Sequence, residues 1–368
     1  MADHTLFTLI KQLAALLILA LLLALVPARP GLALDSQRQM MLVNKSHVLA
    51  ADDVPDDLVK LSDYLPAGSS VKMTRAAAEA LGKMAAAMKE AGIDDVYGAS
   101  GYRSYAVQSS LYQQKTSYYR NLGYGRDQAA ALAGTIVAPP GASEHQTGLA
   151  IDLVSWENGG SMDEDFGSTQ AGKWLAINCW RYGFILRYAA DKTELTGYIF
   201  EPWHFRYVGR EHAKYMTEHH LCLEEYTQLI KERGALISDA EGNNYAVYYT
   251  DQPEQADPAI SRLSLAYAGD TAAYIVTLHT VDTDLSDLIA YWGKERIQKL
   301  MLLSVVAGYA DFSPAPGGQP LLTKELTREG LTRLIETFEP QRDQAPGLEA
   351  ALVQGELSPA ICYLNPLG

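Results

Sequence analysis

The chain has 368 residues, more than one ordinary domain and enough for two. Hydrophobic residues make up 48% of it, which supplies an ample core and excludes global disorder. The formal net charge of -14 at pH 7 leaves no basic field to neutralise phosphates, so nucleic acid is excluded as an expected partner, and the acidity reads as solubility.

The N-terminus is the main anomaly of composition. Leu13 to Val26 runs without a charge and stops at Pro27. The run is apolar on all sides, so it does not read as an amphipathic core helix. Its length suits a signal-peptide core better than a full span of about 20 residues, although extending it back through Phe7 gives an uncleaved anchor. Residues 1–34 are therefore expected to be a signal peptide or N-terminal membrane anchor. The mature chain would then be secreted or held on the outer face of the cytoplasmic membrane. Cys179, Cys222 and Cys362 fit no zinc-binding spacing, and Cys179 reads as a small buried hydrophobe.

Residues 35–70 carry no clear periodicity and read as a wrapping segment. From Met73 to Ala91 the pattern is helical, with Leu81, Met84, Ala85 and Met88 on one stripe, Thr74 at the start and Gly92 at the end. A short strand follows in DDVYGAS, then helices over AVQSSLYQQKTSYYRNLG and DQAAALAGTIV, closed by Pro139, Pro140 and Gly141. Leu149 to Val154 alternates like a strand, placing Leu149, Ile151 and Leu153 on one face and Ala150 and Asp152 on the other. A helix over Gly172 to Tyr182 is expected with Trp174, Ile177 and Trp180 as its apolar stripe. GFILRY and GYIFEPWHFRYVG are expected to pair as a hairpin, and one helical stretch from Arg210 to Gly234 closes the domain. On that stretch His212, His219 and His220 read as solvated. Strands between helical runs, joined by short turns, argue for an α+β domain built on a small antiparallel sheet with flanking helices. NNYAVYYT and AAYIVTLHTV then read as strands, and two helical patterns follow at Ile297–Val305 and Leu326–Ile335.

The chemistry concentrates in two stretches. SEHQTGLAID places His145 seven residues before Asp152, and EPWHFRYVG places Glu201 three residues before His204. Two imidazoles and one carboxylate are a common ligand set for catalytic zinc, with a fourth position open to water. His145, Asp152 and His204 are accordingly the expected metal ligands, and Glu201 the expected base. Pro202 disfavours α conformation at Glu201, so a bend is needed to aim Glu201 and His204 at one point. Gly148 permits close backbone approach between the first two ligands. Arg103, on a loop after a strand, could hold a substrate carboxylate in bidentate fashion.

GYRSYAVQSSLY, SEHQTGLAIDL and EPWHFRYVG together resemble the VanY-type D-alanyl-D-alanine carboxypeptidases of the LAS zinc metallopeptidases, over residues 40 to 230. The resemblance implies a hedgehog/DD-peptidase-like fold carrying a zinc ion on His145, Asp152 and His204, with Glu201 as catalytic base. It also implies that Arg103, Gln108 and Ser143 hold the terminal residue of the peptide and its carboxylate. Arg187 and Tyr188 fit the family pattern without an assigned role. The implied substrate is a peptidoglycan stem peptide losing its terminal D-alanine. Removal from a tetrapeptide (L,D) and a non-catalytic, zinc-containing wall-binding module are the alternatives; Glu201 argues against the latter, since a structural zinc needs no base.

The expected organisation is a leader over 1–34, the catalytic domain over 35–234, and a smaller α/β accessory region over 235–368. Within that region, residues 285–338 resemble a single divergent S-layer homology repeat, on Trp292, the GYAD turn and Leu326–Glu329. Contact with a cell-wall polymer follows from that resemblance, and membrane contact from an uncleaved N-terminus.

Overall fold

The computed structural model of the protein describes residues 38–251 and 261–280. The apolar N-terminal run and the S-layer-like stretch at 285–338 lie outside the described residues. Among the described residues, no helix is long and apolar enough to cross a membrane.

The chain enters through an irregular segment that leads to a two-stranded ribbon, β1 (Leu58–Lys60) with β2 (Lys72–Thr74). Helix α1 (Arg75–Glu90) follows at once and buries Ala77, Ala78, Leu81, Met84 and Met88, the stripe that the 3.6-residue period requires. Thr74 stands at the N-cap position, but its side chain makes no capping bond. Next come β3 (Val96–Ser100), α2 (Tyr105–Asn121), α3 (Arg126–Ala133) and a 3-10 turn at Glu144–Thr147. The chain continues through β4 (Ala150–Ser155), α4 (Gln170–Asn178), β5 (Phe184–Leu186) and β6 (His204–Tyr207). The expected hairpin is present, with β5 antiparallel to β6. The main sheet has the order β3-β4-β6-β5 and is antiparallel throughout.

One face of this sheet is apolar. Leu149, Ile151, Leu153, Phe184 and Phe205 pack against the buried stripe of α1 and against Phe166, Ala171 and Leu175. The opposite face carries Asp152, His204 and Arg206, all buried. Period-two alternation therefore puts the chemistry on one side and the core on the other.

Helix α4 departs from expectation. Ile177 is 68% exposed, and the buried side chains are Ala171, Leu175 and, just after the helix, Cys179. The small residues let the helix lie close to the turn that precedes it: a Cβ on Gly172 would stand 2.1 Å from the Phe166 carbonyl oxygen. Of the expected stripe only Ile177 turns outward; Trp174 and Trp180 are half-buried and pack against the apolar clusters.

The closing stretch is two helices, α5 (Arg210–Glu218) and α6 (Leu223–Arg233), not one. His220 breaks it by adopting a φ of 53°. A second four-stranded antiparallel sheet follows: β7 (Ala235–Ser238), β8 (Asn244–Thr250), β9 (Ser261–Leu265) and β10 (Tyr274–Thr280), in the order β7-β8-β10-β9. β9 was not expected from the sequence. Ala235, Ile237, Val247, Ala266, Ala273 and Ile275 share one apolar cluster with Ala213, Met216, Leu223, Tyr226 and Ile230 of the two closing helices.

His212 is buried in that junction, which corrects its reading as solvated. Its Nδ1 lies 2.9 Å from the Tyr226 hydroxyl and its Nε2 lies 3.0 Å from Thr277 Oγ1. Helix periodicity turns His212 inward on the same face as Met216, and the two hydroxyls meet the hydrogen-bonding demand of a buried imidazole.

Candidate metal centre

Antiparallel pairing of β4 with β6 sets Asp152 directly opposite His204. Directly opposed residues have their Cβ atoms about 5 Å apart, so two strands supply two ligands without any loop adjustment. Asp152 Oδ1 lies 3.0 Å from His204 Nδ1. His145 arrives from the 3-10 turn, and its Nε2 lies 3.2 Å from Asp152 Oδ2. Gly148, at φ 71°, ends this turn; a Cβ there would stand 2.9 Å from Leu58, so both conformation and space require glycine.

The His145 ring has its outer nitrogen committed. His145 Nδ1 lies 2.7 Å from the carbonyl oxygen of Gly101, so it carries the proton and leaves a lone pair on Nε2. That Nε2 is buried and finds no hydrogen-bond partner among the described residues. The ligand atoms of His145, Asp152 and His204 lie within 4.8 Å of one another. Two imidazole nitrogens and one carboxylate oxygen, buried and convergent, fit zinc.

The electrostatics agree. Burial, with Arg103 adding to it, lowers His145 to about 4, so its imidazole is neutral at pH 7 as a ligand must be. Burial opposes ionisation of Asp152, but the two imidazoles outweigh it and hold the carboxyl well below its usual range. Burial would lower His204, yet its bond to Asp152 and the nearby carboxylates of Glu144 and Glu201 prevail and raise it to about 9. A raised imidazole between carboxylates marks a place where positive charge is stabilised, and proton and divalent metal compete for such a place.

Glu201 sits beside this cluster. It precedes the strand: the His204 amide donates to the Glu201 carbonyl at 3.1 Å, closing a turn through Pro202 and Trp203. That turn is the bend the sequence required. It brings Glu201 Oε2 to 3.9 Å from His204 Nδ1. Burial pushes the Glu201 carboxyl up to about 7, which suits a group that must take and return a proton.

Arg103 stands at the edge, its side chain 24% exposed and its NH2 4.0 Å from Asp152 Oδ2. Its backbone amide donates to the His145 carbonyl at 3.1 Å, fixing the loop after β3 to the ligand turn. Its Nε finds no hydrogen-bond partner among the described residues. Ser143 is buried immediately before the ligand turn. Gln108 is buried too, and its Nε2 donates to the Ala138 carbonyl at 2.7 Å while Oε1 has no partner among the described residues. Sequence reasoning missed Glu144, Arg206 and Glu224. The available signal was a charged residue in register with His204 on an inward strand face, which demands a buried partner.

This fold and donor set define a zinc metallopeptidase. The family model for VanY, D-alanyl-D-alanine carboxypeptidase, matches residues 70–210. The chain is 39% identical over 196 residues to YodJ of Bacillus subtilis, named as a carboxypeptidase, covering 52% of this chain and 68% of that protein. It is 34% identical over 192 residues to the bifunctional D-Ala-D-Ala dipeptidase and carboxypeptidase VanXYC of Enterococcus gallinarum, covering 51% of this chain and 92% of that one. Among solved structures it resembles the D,D-dipeptidase VanXYg in complex with a D-Ala-D-Ala phosphinate analogue, at 30% identity and a TM-score of 0.54, over 67% of this chain and 95% of that one. The chain belongs to the VanY family of D-alanyl-D-alanine carboxypeptidases.

Proposed function

We propose that this protein removes the terminal D-alanine from peptidoglycan stem peptides as a zinc-dependent D,D-carboxypeptidase. The observation that carries the reading is the convergence of His145, Asp152 and His204 with a buried Glu201 on one side and a half-exposed arginine on the other. Zinc, held by those three residues, would supply Lewis-acid polarisation of the scissile carbonyl and an acidified water.

The remaining steps belong to the protein. Glu201 accepts the proton of the attacking water and returns it to the departing D-alanine amine; a carboxyl raised to about 7 can do both near neutral pH. Arg103 offers a guanidinium to the free C-terminal carboxylate of the peptide, which restricts cleavage to chain ends. Ser143 and Gln108 belong to the same reading as partners of the terminal residue, supported by the bond with which Gln108 pins the Ala138 carbonyl ahead of the ligand turn. A stem peptide lies outside the cytoplasm, so the reading includes an exported enzyme, with the N-terminal apolar run as leader or anchor. Contact with a cell-wall polymer through residues 285–338 belongs to the same reading.

Mass spectrometry of muropeptides incubated with purified protein, with and without a chelator, tests it. Chelator-sensitive loss of one alanine from pentapeptide is the expected result. Loss from tetrapeptide alone would reassign the enzyme as L,D-specific, and no loss at all would overturn the catalytic reading.

A further inference from the structure

Beneath the metal ligands lies a closed set of buried charges that the chemistry above does not use. Glu144 Oε1 accepts from Arg187 Nε at 2.8 Å and from Arg206 NH1 at 2.9 Å. The side chains of all three residues are fully inaccessible to solvent. Arg187 turns its other edge to Glu224, with bonds of 2.9 and 2.7 Å in a bidentate pair. Arg206 NH2 is shared among the carbonyls of Arg38, Gln39 and Met41, at 3.3, 3.1 and 3.1 Å. Two arginines thus balance two carboxylates.

One oxygen is left over. Among the described residues, Glu144 Oε2 is buried with no hydrogen-bond partner, and so is His204 Nε2; the two atoms stand 3.5 Å apart. A buried polar atom without a partner costs about 1–3 kcal/mol, more when charged, so two such atoms facing each other call for an explanation. Carboxylates that accept the outer N–H of a ligating histidine fix its tautomer and raise its basicity.

We propose that Glu144 is a positioning residue for the metal centre: it accepts the Nε2 proton of His204 and thereby presents Nδ1, with its lone pair, to the metal. The inference rests on the zinc assignment. His145 is the mirror case, with Nδ1 held by the Gly101 carbonyl and Nε2 left for the metal. Arg187 and Arg206 do two things at once. They occupy Oε1, so that only Oε2 is left for the imidazole, and by gripping Oε1 together they fix where Oε2 points. Tyr188 packs on the His204 ring at a centroid distance of 4.8 Å, beneath the Arg187 guanidinium, and limits rotation out of this orientation.

Glu144→Gln is the discriminating variant. With its carbonyl oxygen kept by the two arginines, the amide turns an NH2 toward His204 Nε2, which then must accept, and the proton moves to Nδ1. Zinc affinity, measured by competition with a chromophoric chelator, is expected to fall roughly 10- to 100-fold. Glu224→Gln serves as the control, since it perturbs the same arginine without facing His204. It is expected to lower the melting temperature and leave zinc affinity within about twofold of wild type. Equal zinc affinity in Glu144→Gln and wild type would overturn the proposal, as would equal losses in the two variants. Should Glu144→Gln not fold, the zinc-loaded wild-type protein decides. Labelled with 15N-histidine, it should show a His204 Nε2–H that is downfield-shifted and protected from exchange, and a freely exchanging proton there would overturn the proposal. Failure of wild type to bind zinc at all would instead sink the underlying metal assignment.

Discussion

At the scale of single residues, the ligands and the base separate by what their removal should do. His204→Ala and His145→Ala delete a nitrogen from a three-ligand set, so bound zinc measured after dialysis should be lost along with activity. Glu201→Ala keeps that set intact. It is expected to retain zinc while turnover, followed as released D-alanine, drops by about 10²–10⁴-fold. Arg103→Ala should leave zinc in place and lower kcat/KM by about 10- to 100-fold for substrates with a free C-terminal carboxylate, the worth of a charge-assisted hydrogen bond. A C-terminally amidated peptide should be as poor a substrate for wild type as the free peptide is for the variant. Cys179, by contrast, is inert: burial pushes its thiol up to about 12.

At the scale of elements, the site depends on β4 and β6 holding one register. A one-residue slip would turn Asp152 and His204 to the core face and Ile151 and Phe205 to the metal face. The buried charges Glu144, Arg187, Arg206 and Glu224 tie β6 to the ligand turn, to α6 and to the entry segment at Arg38–Met41. Replacing Arg206 by alanine leaves Glu144 short of a partner and is expected to cost about 3–5 kcal/mol, read from urea denaturation. The same network sets a pH response. Arg187 and Arg206 outweigh the cost of burying Glu144 and hold its carboxyl well below the usual carboxylate range, and Arg187 likewise lowers Glu224. A carboxyl depressed in the folded state contributes stability that is complete above its unfolded value and lost as pH falls through the folded one. The melting temperature should therefore decline as pH is lowered below about 4.5, with Glu224→Gln showing a shallower decline.

At the scale of the molecule, the second sheet is packed onto the catalytic part. Ile237, Val247 and Ile275 lie in the same apolar cluster as Met216, Leu223, Tyr226 and Ile230. Each buried aliphatic side chain contributes about 1.5–3 kcal/mol, so removing three approaches the whole stability of an ordinary domain. A chain ended at residue 234 is expected to lose cooperative unfolding and become readily cleaved in limited proteolysis. His212, bonded to Tyr226 and Thr277, ties the same junction.

The sequence by itself determined the chemistry. Histidine, aspartate and glutamate types are unmistakable in SEHQTGLAID and EPWHFRYVG, and strand alternation already placed Asp152 away from Leu149, Ile151 and Leu153. It also determined the stripe of α1, since a 3.6-residue period of large apolar side chains has one reading. Tertiary structure decided what depends on partners distant in sequence. Cross-strand register set Asp152 opposite His204. Ala171 and Gly172 became part of the buried face of α4 because the turn at Phe166 lies against it, and His212 became a buried link because Thr277 approaches it from 65 residues away. Glu144 looked like any charged neighbour of a ligand. Only the fold showed its one oxygen held by two arginines and its other aimed at His204, because burial changes what a charge must do and burial is a property of the packed chain.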